Sequence, residues 1–177
     1  MVMPTYTPLP GTIGLSKISG LLGFSIALAQ LLCGQPSPFT HAFVVLDDDT
    51  VLEAMPKGAR LQPLPDRLDW TPVGWSWMVE LDADQRARVV QEARALVGVP
   101  YSFLDYLAIL LTNLGLRNQA IQRRVASSGH MICSQLVDEV YRRAGIQLFD
   151  DGRFSGDVMP GTIANAMVHA RWAQYRY

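Results

Sequence analysis

Hydrophobic positions form one long apolar run early in the chain and shorter alternating runs after it. The run Ile18–Leu32 has few polar interruptions and is followed by Gly34, which predicts a buried apolar helix. The shorter runs are rich in β-branched and aromatic residues and are separated by turn residues, which predicts strands. The predicted strands are Thr12–Leu15, His41–Leu46, Val51–Met55, Ala59–Leu64 and Gly74–Leu81.

Helical spacing replaces the strand pattern in the second half of the chain. An amphipathic helix begins at Asp84 and is closed by Gly98 and Pro100. The further predicted helices are Tyr101–Leu116, Cys133–Ala144 and Gly161–Trp172, with a polar connector at Asn118–Ser128 and a loop at Phe149–Gly156. Because the strands are grouped between helices and do not alternate with them, the order predicts an α+β fold with an antiparallel sheet.

Composition narrows the class of protein. The 177 residues suit a single domain, 1–177, and 49% hydrophobic residues suffice for a core. A net charge of -1 argues against a nucleic-acid partner, which needs a basic surface. No secretory signal is evident, and Ile18–Leu32 is shorter than the ~20 residues that span a bilayer. We therefore expect a cytoplasmic protein without stable membrane insertion.

Two cysteines, Cys33 and Cys133, are too few for a disulfide framework or a zinc knuckle. Nucleotide-binding, zinc-protease and serine-hydrolase motifs are missing, and the acidic run Asp47–Asp49 is better explained as a solvated turn than as a calcium site. The sequence therefore predicts no cofactor and no metal. Cys33 ends the apolar run and is expected to pack in the interior.

Cys133 opens a predicted helix, CSQLVDEVYRRAG. A helix N-terminus offers free N–H groups and a positive dipole end, which stabilise a thiolate and an oxyanion. From position alone, Cys133 is either a nucleophile or a buried small residue.

A cysteine nucleophile needs a base, usually histidine, and the chain has His41, His130 and His169. Taken alone, His41 is better explained as a hydrogen-bonded histidine of a strand. Glu53 interrupts the next strand and is a candidate to orient His41. If Asp47–Asp49 form a three-residue hairpin loop, Phe43 faces Glu53, and His41 and Glu53 become diagonal neighbours on one face.

The segments LVGVPYSFLDY, CSQLVDEVYRRAG and HAFVVLDDDTVLEA together resemble NlpC-type papain-like cysteine hydrolases. The histidine strand precedes the cysteine helix by 92 residues, the reverse of the ordinary order. This order resembles the circularly permuted branch, which includes YiiX-like and lecithin–retinol acyltransferase-like proteins. The resemblance implies a papain-like (NlpC-type), circularly permuted fold with an antiparallel sheet packed with helices.

The resemblance also implies roles for site residues. It makes Cys133 the nucleophile, His41 the general base and Glu53 the residue that orients His41, with Tyr101 at the oxyanion. The expected activity is cleavage of a peptide or isopeptide bond in a peptide-like substrate. Acyl transfer or hydrolysis of a thioester or lipid ester is the alternative, because the apolar segments Ile18–Leu32 and Phe103–Leu116 suit an acyl substrate. A non-catalytic binding module is a second alternative.

Overall fold

The computed structural model describes residues 8–64, 73–76, 81–101, 131–149, 158–169 and 173–176. In this part of the chain, six strands and four helices form an α+β fold. The strands are β1 (Ile13–Ser16), β2 (His41–Val45), β3 (Thr50–Met55), β4 (Gly58–Pro63), β5 (Val73–Ser76) and β6 (Ala173–Arg176). The helices are α1 (Gly20–Leu32), α2 (Ala83–Ala95), α3 (Cys133–Arg143) and α4 (Pro160–His169).

The strands form one antiparallel sheet in the order β4-β3-β2-β1-β5-β6. The five predicted strands are therefore present, with ends that differ by a few residues. Strand β6 was not predicted, and the last predicted helix is described as Pro160–His169, with residues 170–172 outside the described residues. The segment AQYR alternates apolar and polar residues, but four residues are too short a pattern to predict a strand, and its pairing with β5 identifies it as one.

Apolar side chains pack on both faces of the sheet. The main cluster joins β1, β2 and β3 to α2 and α3, with Val44, Leu52 and Val137 fully buried. A smaller cluster on the other face contains Phe43, Val51 and Trp75. The centre of the sheet is thus buried on both faces, which explains why β2 is apolar at nearly every position after His41.

Helix α1 differs from its prediction, because it is not a buried helix. Its buried residues are Gly23, Ile26, Ala29 and Gln30, whereas most of its large apolar side chains are exposed. The helix carries no charged residue, so hydrophobicity alone could not indicate which side faces the protein. No helix in the described part of the chain has the length and apolarity needed to cross a membrane.

Gln30 fixes α1 to the rest of the molecule. Its Nε2 donates to the Phe39 carbonyl at 3.0 Å, and its Oε1 accepts from the Gly161 N–H at 2.6 Å. Ile26 and Ala29 of the same face pack with Ile132, the residue before α3. These contacts place α1 beside the N-terminus of α3.

Candidate functional site

The β2–β3 hairpin sets the relative position of His41 and Glu53. The Leu46 N–H donates to the Thr50 carbonyl at 2.8 Å, and Phe43 lies opposite Glu53. Asp49 has a φ of 54°, a left-handed conformation that aspartate tolerates better than most residues, and it completes a three-residue loop. The hairpin register predicted from the sequence is confirmed.

His41 and Glu53 form a buried hydrogen-bonded pair. His41 Nε2 and Glu53 Oε2 are 2.8 Å apart, and both side chains are fully buried. The His41 ring also lies 6.1 Å from the Phe43 ring, centroid to centroid. Because Glu53 bonds Nε2, a proton exchange between His41 and a nucleophile would use the other ring nitrogen, Nδ1.

Arg60 is a member of this group that sequence reasoning missed. It lies opposite Glu53 in the β3–β4 register, and its Nε and Nη2 donate to Glu53 Oε1 at 3.1 and 2.9 Å. Each Glu53 oxygen thus has its own partner. The sequence does contain a signal for this pair: an arginine seven positions after a strand glutamate, with a two-residue turn between the strands, lies opposite that glutamate.

Cys133 is the first helical residue of α3 and is almost completely buried. Ile132 precedes the helix in an extended conformation, and the Gln135 side chain accepts from the Ile132 N–H at 3.1 Å. The Ser134 hydroxyl donates to the Val158 carbonyl at 2.6 Å, which anchors the first turn. The thiol is therefore held at the positive end of the α3 dipole.

His41 and Cys133 lie together although they are far apart in sequence. Burial alone lowers the pKa of His41, but hydrogen bonding to Cys133 and Glu53, and the negative charge of both, raise it from 6.5 to about 9. The pKa therefore favours a protonated imidazole at neutral pH. Such an imidazole stabilises a neighbouring thiolate.

Tyr101 lies beside the same thiol. Burial, and to a smaller extent the negative charge of Cys133, raises the pKa of Tyr101 well above its usual range, so its hydroxyl stays a hydrogen-bond donor. Backbone hydrogen bonds position the residues just before Tyr101. The Ala59 N–H of β4 donates to the Val99 carbonyl at 2.8 Å, and the Met131 N–H donates to the Pro100 carbonyl at 3.0 Å. A side chain at Gly58 would crowd the Val99 carbonyl, which explains the glycine at the start of β4.

The other residues considered from the sequence are not bonded to this group or lie outside the described part of the chain; Cys33 packs against the cluster of Ile26, Ala29 and Ile132. Cys33 follows α1, is half-buried and has a pKa raised by burial. Three predicted features fall outside the described residues: His130, the connector Asn118–Ser128, and the predicted helix Tyr101–Leu116 except for its first residue. His169 closes α4, and its side chain is likewise outside them.

Among the residues that the structure describes, no three His, Cys, Asp or Glu side chains are grouped as metal ligands. Glu53 is already bound by His41 on one oxygen and by Arg60 on the other, which leaves His41 and Cys133 as the candidate ligands among the described residues of the site. Two side chains are fewer than the three or four protein ligands of a zinc site, so the described residues of this site do not fit a metal ion.

The fold is similar to that of the metalloprotein YiiX from Escherichia coli O157:H7. The match covers 97% of this chain and 98% of that one, with a TM-score of 0.63 and 17% sequence identity. At this identity the likeness shows a shared fold, and it agrees with the YiiX-like resemblance expected from the sequence. No family model matches the chain, and no curated protein matches it.

Proposed function

We propose that the protein is a cysteine hydrolase that cleaves an amide bond, with Cys133 as nucleophile, His41 as general base and Glu53 as the residue that orients His41. The observation that carries the proposal is a cysteine at a helix N-terminus beside a histidine whose other ring nitrogen is bound by a buried carboxylate. Nucleophilic catalysis by cysteine requires this combination of residues.

The reaction begins with attack of the Cys133 thiolate on the carbonyl carbon, which forms a carbon–sulfur bond and an oxyanion. The N–H of Cys133 and the hydroxyl of Tyr101 donate to that oxygen. Protonated His41 then gives its proton to the leaving nitrogen as the carbon–nitrogen bond breaks, which leaves a thioester. Neutral His41 takes a proton from water, the hydroxide equivalent attacks the thioester, and the acid and the thiolate are released.

The YiiX-like fold and the order of the site residues along the chain support a circularly permuted papain-like domain. In this interpretation β2 and β3 supply the base and its partner, and α3, later in the chain, supplies the nucleophile. The metal implied by the name of the YiiX protein has no part in the proposal, because the two side chains that the described part of this site leaves available are too few to hold one.

Alkylation by iodoacetamide tests the proposal, with Cys33 as an internal control. Burial raises the pKa of Cys33, so it is expected to react slowly at neutral pH. We expect Cys133 to react faster than Cys33, to stay reactive below neutral pH, and to lose this advantage in His41→Ala, with each modified cysteine identified by peptide mass spectrometry. Equally slow labelling of both cysteines in the folded protein would contradict the thiolate and favour a binding module.

Acyl transfer, or hydrolysis of a thioester or lipid ester, is a second candidate for the same residues. The observation that favours it is the apolar helix α1, which packs against Ile132 directly before Cys133. Peptide amides and long-chain acyl esters assayed side by side, with Cys133→Ala as the blank, distinguish the two reactions. Turnover of acyl esters alone would move the assignment to the second candidate.

A further inference from the structure

The outward face of α1 is a continuous apolar surface. Leu21, Phe24 and Leu31 are 88%, 68% and 61% exposed. Leu28 and Leu32 are exposed as well. Phe24, Leu28, Leu31 and Leu32 lie three, seven, ten and eleven positions after Leu21, so all five residues share one side of the helix. We call these five residues the α1 apolar face. The opposite side of α1 is the buried side, so the largest side chains of the helix point away from the protein.

The stretch of sequence that contains the α1 apolar face carries no negative charge. Residues 1–46 contain no Asp or Glu, and Lys17, which is exposed just before α1, is their only Lys or Arg. The described residues that pack on the buried side of α1, Ile132, Met159 and Tyr101, are also uncharged. A negatively charged lipid headgroup is therefore not repelled by a carboxylate of this part of the chain, and Lys17 can attract it.

The α1 apolar face also lacks hydrogen-bonding side chains. Ser25, the neighbouring hydroxyl, already donates to the Leu22 carbonyl at 2.8 Å. Interfaces between folded proteins combine an apolar centre with a polar rim and about one hydrogen bond per 100–200 Å². A lipid surface needs no such bonds, because burial of apolar side chains among acyl chains supplies the free energy.

We propose that the α1 apolar face docks the protein on the surface of a lipid bilayer. The 13 residues of α1 span about 20 Å, less than the ~30 Å hydrocarbon core, so the helix lies along the interface and does not cross it. The five apolar side chains enter the acyl region, and Lys17 lies at the level of the headgroups. This docking does not depend on the chemistry of Cys133.

Flotation of the purified protein with vesicles of phosphatidylcholine, with and without phosphatidylglycerol, tests docking. We expect the protein to float with both. Serine substitution of Leu21, Phe24 or Leu31 is expected to lower the ratio of bound to free protein about tenfold each. Lys17→Gln is expected to lower binding about fivefold with phosphatidylglycerol vesicles and to change nothing with phosphatidylcholine alone.

Matched controls use exposed apolar residues of other elements. Leu61→Ser in β4 and Val97→Ser after α2 are expected to float like the wild type. Cys133→Ala is also expected to bind vesicles normally, so a failure of the hydrolase proposal does not affect this one. An unchanged melting temperature by circular dichroism shows that the α1 variants are folded.

Three results would overturn the proposal. The first is a wild-type protein that does not float with either vesicle. The second is binding that the α1 substitutions leave unchanged. The third is a dimer in sedimentation equilibrium that the same substitutions dissociate, because the face would then bind a second copy of the chain.

Discussion

Glu53 is a fully buried carboxylate, and its partners explain how it tolerates burial. An ionised carboxylate loses several kcal/mol of hydration in a protein interior unless it is paired and hydrogen-bonded. His41 bonds one oxygen of Glu53, and Arg60 bonds the other with two N–H groups. Arg60 is 43% exposed, so the pair joins the buried site to the surface of the protein.

We expect Arg60→Gln to destabilise the protein by about 1–3 kcal/mol and to slow alkylation of Cys133 at neutral pH. The substitution leaves one buried carboxylate oxygen without its charged partner, which disfavours the charge of Glu53 and so lowers the pKa of His41 from its raised value. Urea denaturation and the pH dependence of alkylation measure the two effects.

Arg94→Gln is the matched control for this experiment. Arg94 is 39% exposed and pairs with Asp47 and Asp48, which are themselves exposed, so its loss is expected to leave the midpoint of urea denaturation nearly unchanged. Arg60→Lys should recover part of both effects, because it restores the charge. If Arg60→Gln behaves like Arg94→Gln, Glu53 does not depend on Arg60.

The raised pKa of His41 predicts the pH range of turnover. Protonated His41 supplies the proton to the leaving nitrogen, so kcat/KM for a peptide amide should fall as the pH rises through about 9. In Arg60→Gln this falling limb should move to lower pH. A wild-type rate that continues to rise beyond that pH would contradict the role of His41 as acid.

At the scale of elements, the pairing of β1 with β2 includes one position that has room only for glycine. Gly14 lies opposite Phe43, and a Cβ on Gly14 would lie 2.1 Å from a Phe43 ring carbon. The Phe43 ring also packs edge-to-face with Trp75 at 5.7 Å. The absence of a side chain at Gly14 therefore leaves room for the Phe43 ring, which lies next to His41.

We expect Gly14→Ala to destabilise the protein by about 2 kcal/mol, because the Phe43 ring has no room to move aside. Phe43→Leu vacates part of that space, so the double variant should be less destabilised than the sum of the two single variants. Urea denaturation of the four proteins measures the coupling. Additive effects would show that the two residues do not compete for the same space.

At the scale of the whole molecule, the site joins segments that come from both halves of the chain. β2 and β3 bring His41 and Glu53, α3 brings Cys133, and the segment before residue 102 brings Tyr101. The free energy of unfolding therefore includes the electrostatic coupling of these segments. The free energy of unfolding should therefore depend on pH, and substitution of His41 should show how much of that dependence comes from its imidazole.

His41 is expected to add pH-dependent stability to the fold. Its pKa is raised from 6.5 in the unfolded chain to about 9, so the contribution is fully present below pH 6.5 and is lost as the pH rises through about 9. Thermal denaturation across this range, in the wild type and in His41→Gln, should give a difference that shrinks with rising pH. A difference that is constant across the range would contradict the raised pKa.

The sequence by itself determined the α+β order and the five strands with approximate ends, and it made the pairing of His41 with Glu53 depend on one condition, a three-residue loop at Asp47–Asp49. Strand alternation and loop length are local properties, and a three-residue loop leaves only one alignment of Phe43 with Glu53. The position of Cys133 at a helix N-terminus could also be predicted, because it depends only on the neighbouring sequence.

Only the tertiary structure decided how these local elements combine. The approach of Cys133 to His41, the pairing of Arg60 with Glu53 and the sixth strand depend on which elements pack together. Helix α1 shows the physical reason most clearly. A helix without charges has no hydrophobic direction of its own, so the fit of small residues such as Gly23 and Ala29 against the protein, and the hydrogen bonds of Gln30, turned its leucines outward.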